Sequence, residues 1–145
     1  MTPTSTLKGG VYYLDRNSIK LVPAGGVLCQ PNPFTRYDIF FPQPKFARYC
    51  RTLGTRDLWW YLAGDFGGGT WTIKRTDGME DSVDINDYRA IIGLEWGTSD
   101  AIRVGRRTGF AEFGYVFNRE VEYRYNPQDN LTPNDGFMVR AGIGY

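Results

Sequence analysis

The stretch "TGFAEFGYVFNREVEYRY", residues 108–125, decides how this chain folds. Its odd positions read Ala111, Phe113, Tyr115, Phe117, Val121, Tyr123 and Tyr125; its even positions read Glu112, Gly114, Val116, Asn118, Glu120, Glu122 and Arg124. Neighbouring side chains of a strand point to opposite faces, so a period of two predicts an extended strand with one apolar face and one charged or small face. The split recurs at 83–96, where Tyr88, Ala90, Ile92, Leu94 and Trp96 oppose Asp87, Arg89, Ile91, Gly93 and Glu95. Leu58, Trp60, Leu62, Gly64 and Phe66 likewise oppose Trp59, Tyr61, Ala63 and Asp65, and Tyr37, Ile39 and Phe41 oppose Arg36, Asp38 and Phe40.

Outward from these segments, strands are expected at 8–16, 19–29, 35–50, 57–75, 83–96, 108–125 and 136–145, and helical periodicity is nearly absent. The connectors "RNS", "QPNPF", "RTLGTR", "TDGMEDS", "GTSDAIRVGRR" and "NPQDNLTPND" carry turn chemistry, so the simplest topology is a seven-strand meander. Pro23, Pro42 and Pro44 are expected at bulges or unpaired edges, because proline cannot donate to a ladder. A chain of 145 residues is one domain's worth.

Composition narrows the function. A formal charge of +1 implies no nucleic-acid partner. There is no histidine, so neither a Ser-His-Asp nor a Cys-His nucleophile system can be built within the chain, and the commonest metal ligand is missing. No apolar run is long enough for a transmembrane helix, a test that says nothing of strands that alternate. The start "MTPTSTLKGG" lacks the apolar core of a signal peptide, so an exported form would be processed or be the C-terminal part of a longer precursor. Cys29 and Cys50 leave two readings open, a disulfide or two small apolar side chains.

Alternation does not say which face is the core. In a soluble sandwich or barrel the apolar face is interior; in an outer-membrane barrel it meets lipid and the polar face lines the lumen. Three features favour the second arrangement. The polar faces mix glycine with charges of both signs, as a narrow interior demands. Tyr88 and Trp96 are eight residues apart, as are Phe137 and Tyr145, which is about 26 Å of strand and close to the apolar band of such barrels. The segments 57–75 and 108–125 also far exceed the usual strand length of globular sheets.

The ending "FMVRAGIGY" resembles the C-terminal signature of bacterial outer-membrane β-barrel proteins, a last strand that finishes on an aromatic with apolar residues at every second position before it. Phe137, Val139, Ala141, Ile143 and Tyr145 fill all of its positions, and in that family this strand is what the barrel-assembly machinery recognises. The resemblance implies a periplasmic C-terminus. Counting back from it puts "NPQDNLTPND", "TDGMEDS" and "QPNPF" outside and "GTSDAIRVGRR", "RTLGTR" and "RNS" inside. It also implies an even strand number, which seven strands do not satisfy, so a strand is missed or lies upstream.

The expectation is therefore an all-β, antiparallel up-and-down meander closed into a transmembrane β-barrel of about eight strands in a bacterial outer membrane. Its role would be non-enzymatic, a membrane anchor or a narrow, porin-like pore, with no cofactor and no metal. The lipid bilayer and the assembly machinery would be its partners, and self-association stays open. Lipid would meet Trp60, Tyr88, Ile92, Trp96, Phe113, Tyr115, Phe117, Phe137, Val139 and Ile143. Asp65, Asp87, Arg89, Glu95, Glu112, Glu120 and Arg140 would form a charge-paired lumen network, a reading favoured over glycosidic or Ca²⁺ chemistry for the acids. "GDFGGGTW" at 64–71 is expected to allow curvature or to seat a bulky lumen residue such as Trp59 or Tyr61, and "RVGRR" to keep a turn in water. The alternative is a soluble lipocalin-like barrel whose Trp60, Tyr88, Phe113, Tyr115 and Phe117 line a cavity for an apolar ligand.

Overall fold

A computed structural model describes residues 4–13 and 21–143. Eight strands follow one another: β1 (Thr4–Tyr13), β2 (Leu21–Asn32), β3 (Thr35–Phe41), β4 (Lys45–Leu53), β5 (Arg56–Lys74), β6 (Glu80–Gly97), β7 (Gly109–Tyr123) and β8 (Gly136–Ile143). Each pairs antiparallel with the next, so all eight form one up-and-down sheet in chain order.

The eighth strand comes from 35–50, which is two strands rather than one. Neither Pro42 nor Pro44 carries an N–H to extend a ladder, and the Gln43 amide closes a turn onto the Phe40 carbonyl at 2.8 Å. The split also changes parity: Arg36 and Asp38 face inward on β3, whereas Lys45 and Ala47 do so on β4. One added hairpin moves the ends of the upstream strands. "QPNPF" therefore lies at the same end as "RTLGTR" and "GTSDAIRVGRR", not opposite them, and Gln30 Nε2 reaches the Arg103 carbonyl there at 3.1 Å. "RNS" and Tyr145 lie outside the described residues.

The expected closure is not made. Among the described residues no ladder joins β8 to β1, so each keeps a free edge. The sheet is nonetheless curved enough for side chains of β5 and β8 to meet across its inner face, as Asp65 and Arg140 do.

The two faces are sorted by polarity in the sense opposite to a water-soluble sheet. Inward-pointing Trp59, Tyr61, Glu95 and Glu112 are 0, 1, 2 and 6% exposed, whereas outward-pointing Ile92, Phe113, Val139 and Ile143 are 54, 51, 78 and 82% exposed. The inner apolar material is a small island of Ala47, Trp59, Tyr61 and Ile91, sealed by Ile102 from a short helix, α1 (Ser99–Arg103), in the β6–β7 connection. That connection is long for a turn because it folds back over the open end of the curved sheet. Arg36 Nη1 donates to the Ile102 carbonyl at 2.9 Å and Arg103 Nη2 to the Pro33 carbonyl at 3.1 Å, which pins α1 in place.

Candidate functional site

The inner face places charged side chains from five strands and one loop within reach of one another. Alternation aims Glu95 of β6 and Glu112 of β7 inward at neighbouring levels, and it aims Lys45 of β4 and Arg140 of β8 at them from either side. Lys45 Nζ lies 2.5 Å from Glu95 Oε2, and Arg107 Nη1 lies 3.9 Å from that oxygen and 3.4 Å from Glu112 Oε1. Arg140 Nη2 meets Glu112 Oε2 at 2.6 Å, and its Nη1 is 3.9 Å from Asp65 Oδ2. Arg89 continues the series, 3.8 Å from Asp65 and 2.6 Å from Asp87. The result is one unbroken row, Lys45–Glu95–Arg107–Glu112–Arg140–Asp65–Arg89–Asp87, in which each of the three arginines sits between two carboxylates, Lys45 ends the row on Glu95, and the formal charges cancel.

Packing holds the centre of this row. Tyr61 donates its hydroxyl to Glu112 Oε1 and receives Arg107 Nη1 at 3.2 Å. It can lie flat across β6 only because residue 93, its register partner, is glycine: a methyl group there would stand 2.6 Å from the Tyr61 hydroxyl and inside its ring. Lys45 Nζ sits 4.0 Å above the Tyr61 ring centre, and the Arg107 guanidinium sits 3.7 Å above that of Phe110, so both cations have an aromatic face as well as an acid.

Six of the seven residues expected in the network are in it: Asp65, Asp87, Arg89, Glu95, Glu112 and Arg140. Glu120 is not; it is exposed on β7 beyond a bulge. Asn118, with φ 49°, and Arg119 lie opposite the single residue Asp87, and the extra residue inverts which positions face inward. Nothing in simple alternation reveals that inversion. Lys45, Tyr61 and Arg107 are the members that sequence reasoning missed. Lys45 is hidden by reading 35–50 as one strand, although the Pro42 and Pro44 pair marks the break. Arg107 belongs to "RVGRR", expected to keep a turn in water, and it turns inward instead because α1 packs against the sheet end.

Within the glycine run, Gly67 leaves room for the inward Arg89 guanidinium, which a methyl group there would overlap. Gly68, at φ 110°, lies against the Ile85 carbonyl where a side chain could not fit, so it marks a close approach of β5 to β6 rather than a seat for Trp59 or Tyr61. Cys29 and Cys50 are free thiols. Among the described residues no group of acids and cysteines is arranged to hold a metal ion.

On the outer face all ten residues expected to meet lipid are at least partly exposed, and rings touch in two rows. Phe66, Tyr88 and Phe117 follow one another across β5, β6 and β7, and the row steps to Tyr115, Phe137 and Phe113 toward β8, with centroid separations of 5.2 to 6.1 Å. Tyr37, Phe46 and Trp60 form the second row across β3, β4 and β5, at 5.1 and 5.3 Å.

Compared with protein-family models, curated proteins and solved structures, this chain matches none.

Proposed function

We propose that this chain is a membrane-embedded β-sheet protein of the outer-membrane type, with an anchoring rather than an enzymatic role. The observation that carries the proposal is the inverted polarity, with charged side chains on the sheltered inner face and aliphatic and aromatic ones on the exposed outer face. A soluble monomer rarely shows a contiguous apolar surface beyond a few hundred Å². Each such side chain gains roughly 1.5–3 kcal/mol on leaving water, so a bilayer stabilises what water penalises. The larger ring row stands at the level of Tyr88, and Trp96 marks the other end about 26 Å away along β6, with Trp60 of the second row two residues short of it, opposite Leu94. In this reading α1 lies on the periplasmic side and the long β5–β6 hairpin projects outside.

Lipid satisfies no backbone group, so the free edges of β1 and β8 must pair in the bilayer, and closing them on each other gives the eight-stranded barrel. An interior of that size is filled by side chains, and the neutral row of ion pairs capped by α1 supports anchoring over conduction. Recognition of Phe137, Val139, Ala141, Ile143 and Tyr145 by the assembly machinery belongs to the same proposal. A soluble barrel with an apolar cavity would need Trp60, Tyr88, Phe113, Tyr115 and Phe117 inside, and all five stand on the outer face.

The test uses three variants that each keep one tryptophan, at position 59, 60 or 71, reconstituted in phosphatidylcholine vesicles with brominated acyl chains. Trp60 is expected to be quenched most, the interior Trp59 less, and Trp71 on the projecting hairpin hardly at all. Quenching of Trp60 no stronger than of Trp71, or a protein folded and monodisperse in plain buffer, overturns the proposal.

A further inference from the structure

The β5–β6 hairpin runs on past Tyr88 for another eight residues to Glu80, roughly 26 Å of strand beyond the ring row. The segment 124–135 folds back onto it and the two are locked together. Arg75, just after β5, donates Nε to Asp81 Oδ2 at 2.9 Å and Nη1 to Asp129 Oδ2 at 2.7 Å. Asp81 also accepts the Tyr125 amide and Asn126 Nδ2, each at 3.1 Å, and Leu131 bridges to Val121. These bonds turn two loops into one rigid unit, and between them lies an open cleft of about 560 Å³. That volume is in the range of small-molecule sites.

Ile73, Arg75, Tyr123, Gln128, Asp129 and Leu131 line the cleft. Its chemistry selects against charged ligands. Arg75 is already engaged by two carboxylates, and Asp77 adds a further negative charge to the lining, so an anion meets no free cation. An amine would have to compete with Arg75 for Asp129 or pair with Asp77, an exposed carboxylate that already accepts the Met79 amide and whose charge water screens. What remains is a set of fixed hydrogen-bonding groups beside apolar patches. Asp129 commits Oδ2 to Arg75 while its Oδ1 makes no hydrogen bond among the described residues, and the Gln128 amide offers donors and an acceptor. Ile73 and Leu131 supply apolar area beside the Tyr123 ring, one face of which carries the Arg75 guanidinium 5.2 Å from its centre. A ring with hydroxyls along its edge and C–H groups on its faces matches both halves of this lining.

We propose that the cleft binds a neutral saccharide. The assignment stands apart from the membrane proposal, because it concerns only the projecting loops. It is tested on the full chain in a zwitterionic detergent free of sugar head groups, titrated with glucose, galactose, N-acetylglucosamine, maltose and lactose while backbone amide resonances are followed. At least one of these is expected to shift the Tyr123, Gln128 and Asp129 amides saturably. Gln128→Ala and Leu131→Asp, both exposed positions, should each weaken binding tenfold or more without changing the remaining spectrum. Glucuronate and glucosamine, which carry opposite charges on a similar ring, should bind at least tenfold more weakly than the neutral form. The assignment is overturned if no neutral sugar saturates, if a charged analogue binds more tightly, or if the shifts fall away from the cleft. Trp60 quenching reads the membrane proposal separately, so the failure of one is distinguishable from that of the other.

Discussion

Glu112→Gln keeps the shape of the side chain and removes its charge from the centre of the interior row. In the parent, Glu112 takes Arg140 at 2.6 Å and Arg107 at 3.4 Å, and its side chain is 4% exposed. Removing one partner of a fully buried ion pair costs about 3–5 kcal/mol, because the other charge is left desolvated. Here the two arginines are 39% and 31% exposed, so both regain part of their hydration, and exposed pairs are worth only about 0.2–1 kcal/mol. The expected loss lies between these limits, at about 2 kcal/mol, a shift of roughly thirtyfold in the folding equilibrium. The Tyr61 hydroxyl keeps an acceptor in glutamine, so the loss reports the charge rather than that hydrogen bond. Equilibrium unfolding by urea in detergent micelles, read by circular dichroism, measures it. Arg140→Gln and the double variant complete a cycle, in which the second substitution should recover about 1 kcal/mol of the first. A Glu112→Gln protein within about 0.5 kcal/mol of the parent, or strictly additive effects, would refute the interior row as an energetic unit.

Gly93→Ala forces Tyr61 off β6 and should cost about 1–3 kcal/mol, whereas Gly25→Ala, whose new methyl would meet nothing nearer than the Lys8 carbonyl at 3.7 Å, should be close to neutral in the same urea assay. Asp81 lies seven residues beyond Tyr88 on the projecting part of β6. Burial works against its charge, but Asn126, the Tyr125 and Ser82 amides and Arg75 outweigh it and hold the carboxyl down at about 2. A depressed carboxyl stabilises the fold fully above its ordinary value near 4 and progressively less as pH falls toward 2, so the protection of the Ser82 and Tyr125 amides, taken relative to their intrinsic exchange rate at each pH, should fall across that interval. Protection that stays constant there argues against the lock on 124–135. In a background with Cys29→Ser and Cys50→Ser, Leu7→Cys paired in turn with cysteines at Phe137, Val139 and Ala141 should give at least one intramolecular disulfide in vesicles. Disulfides only between molecules would instead assign the two edges to self-association.

Much of the sheet was legible because side-chain parity in a strand is set locally. Asp65, Asp87, Arg89, Glu95, Glu112 and Arg140 were placed on one face, and Trp60, Tyr88, Ile92 and Phe113 on the other, with no knowledge of what packs where. Parity fails wherever a residue is added or a ladder stops. The Pro42–Pro44 turn and the Asn118 bulge each change it, which is why 35–50 merged two strands, Lys45 was missed and Glu120 was misassigned.

The sequence by itself determined the element type, the hydrophobic and polar faces, and the glycine and proline positions where backbone geometry is restricted, because these follow from φ, ψ and a period of two. Only the tertiary structure decided that the polar face is the sheltered one, that Arg107 swings in from beyond α1, and that eight charges from different elements align into a neutral row. Those outcomes depend on the direction in which the sheet curves and on contacts between strands far apart in the chain. Alternation is identical for either direction of curvature, and charges tens of residues apart can pair only once the curved sheet has brought them within 4 Å.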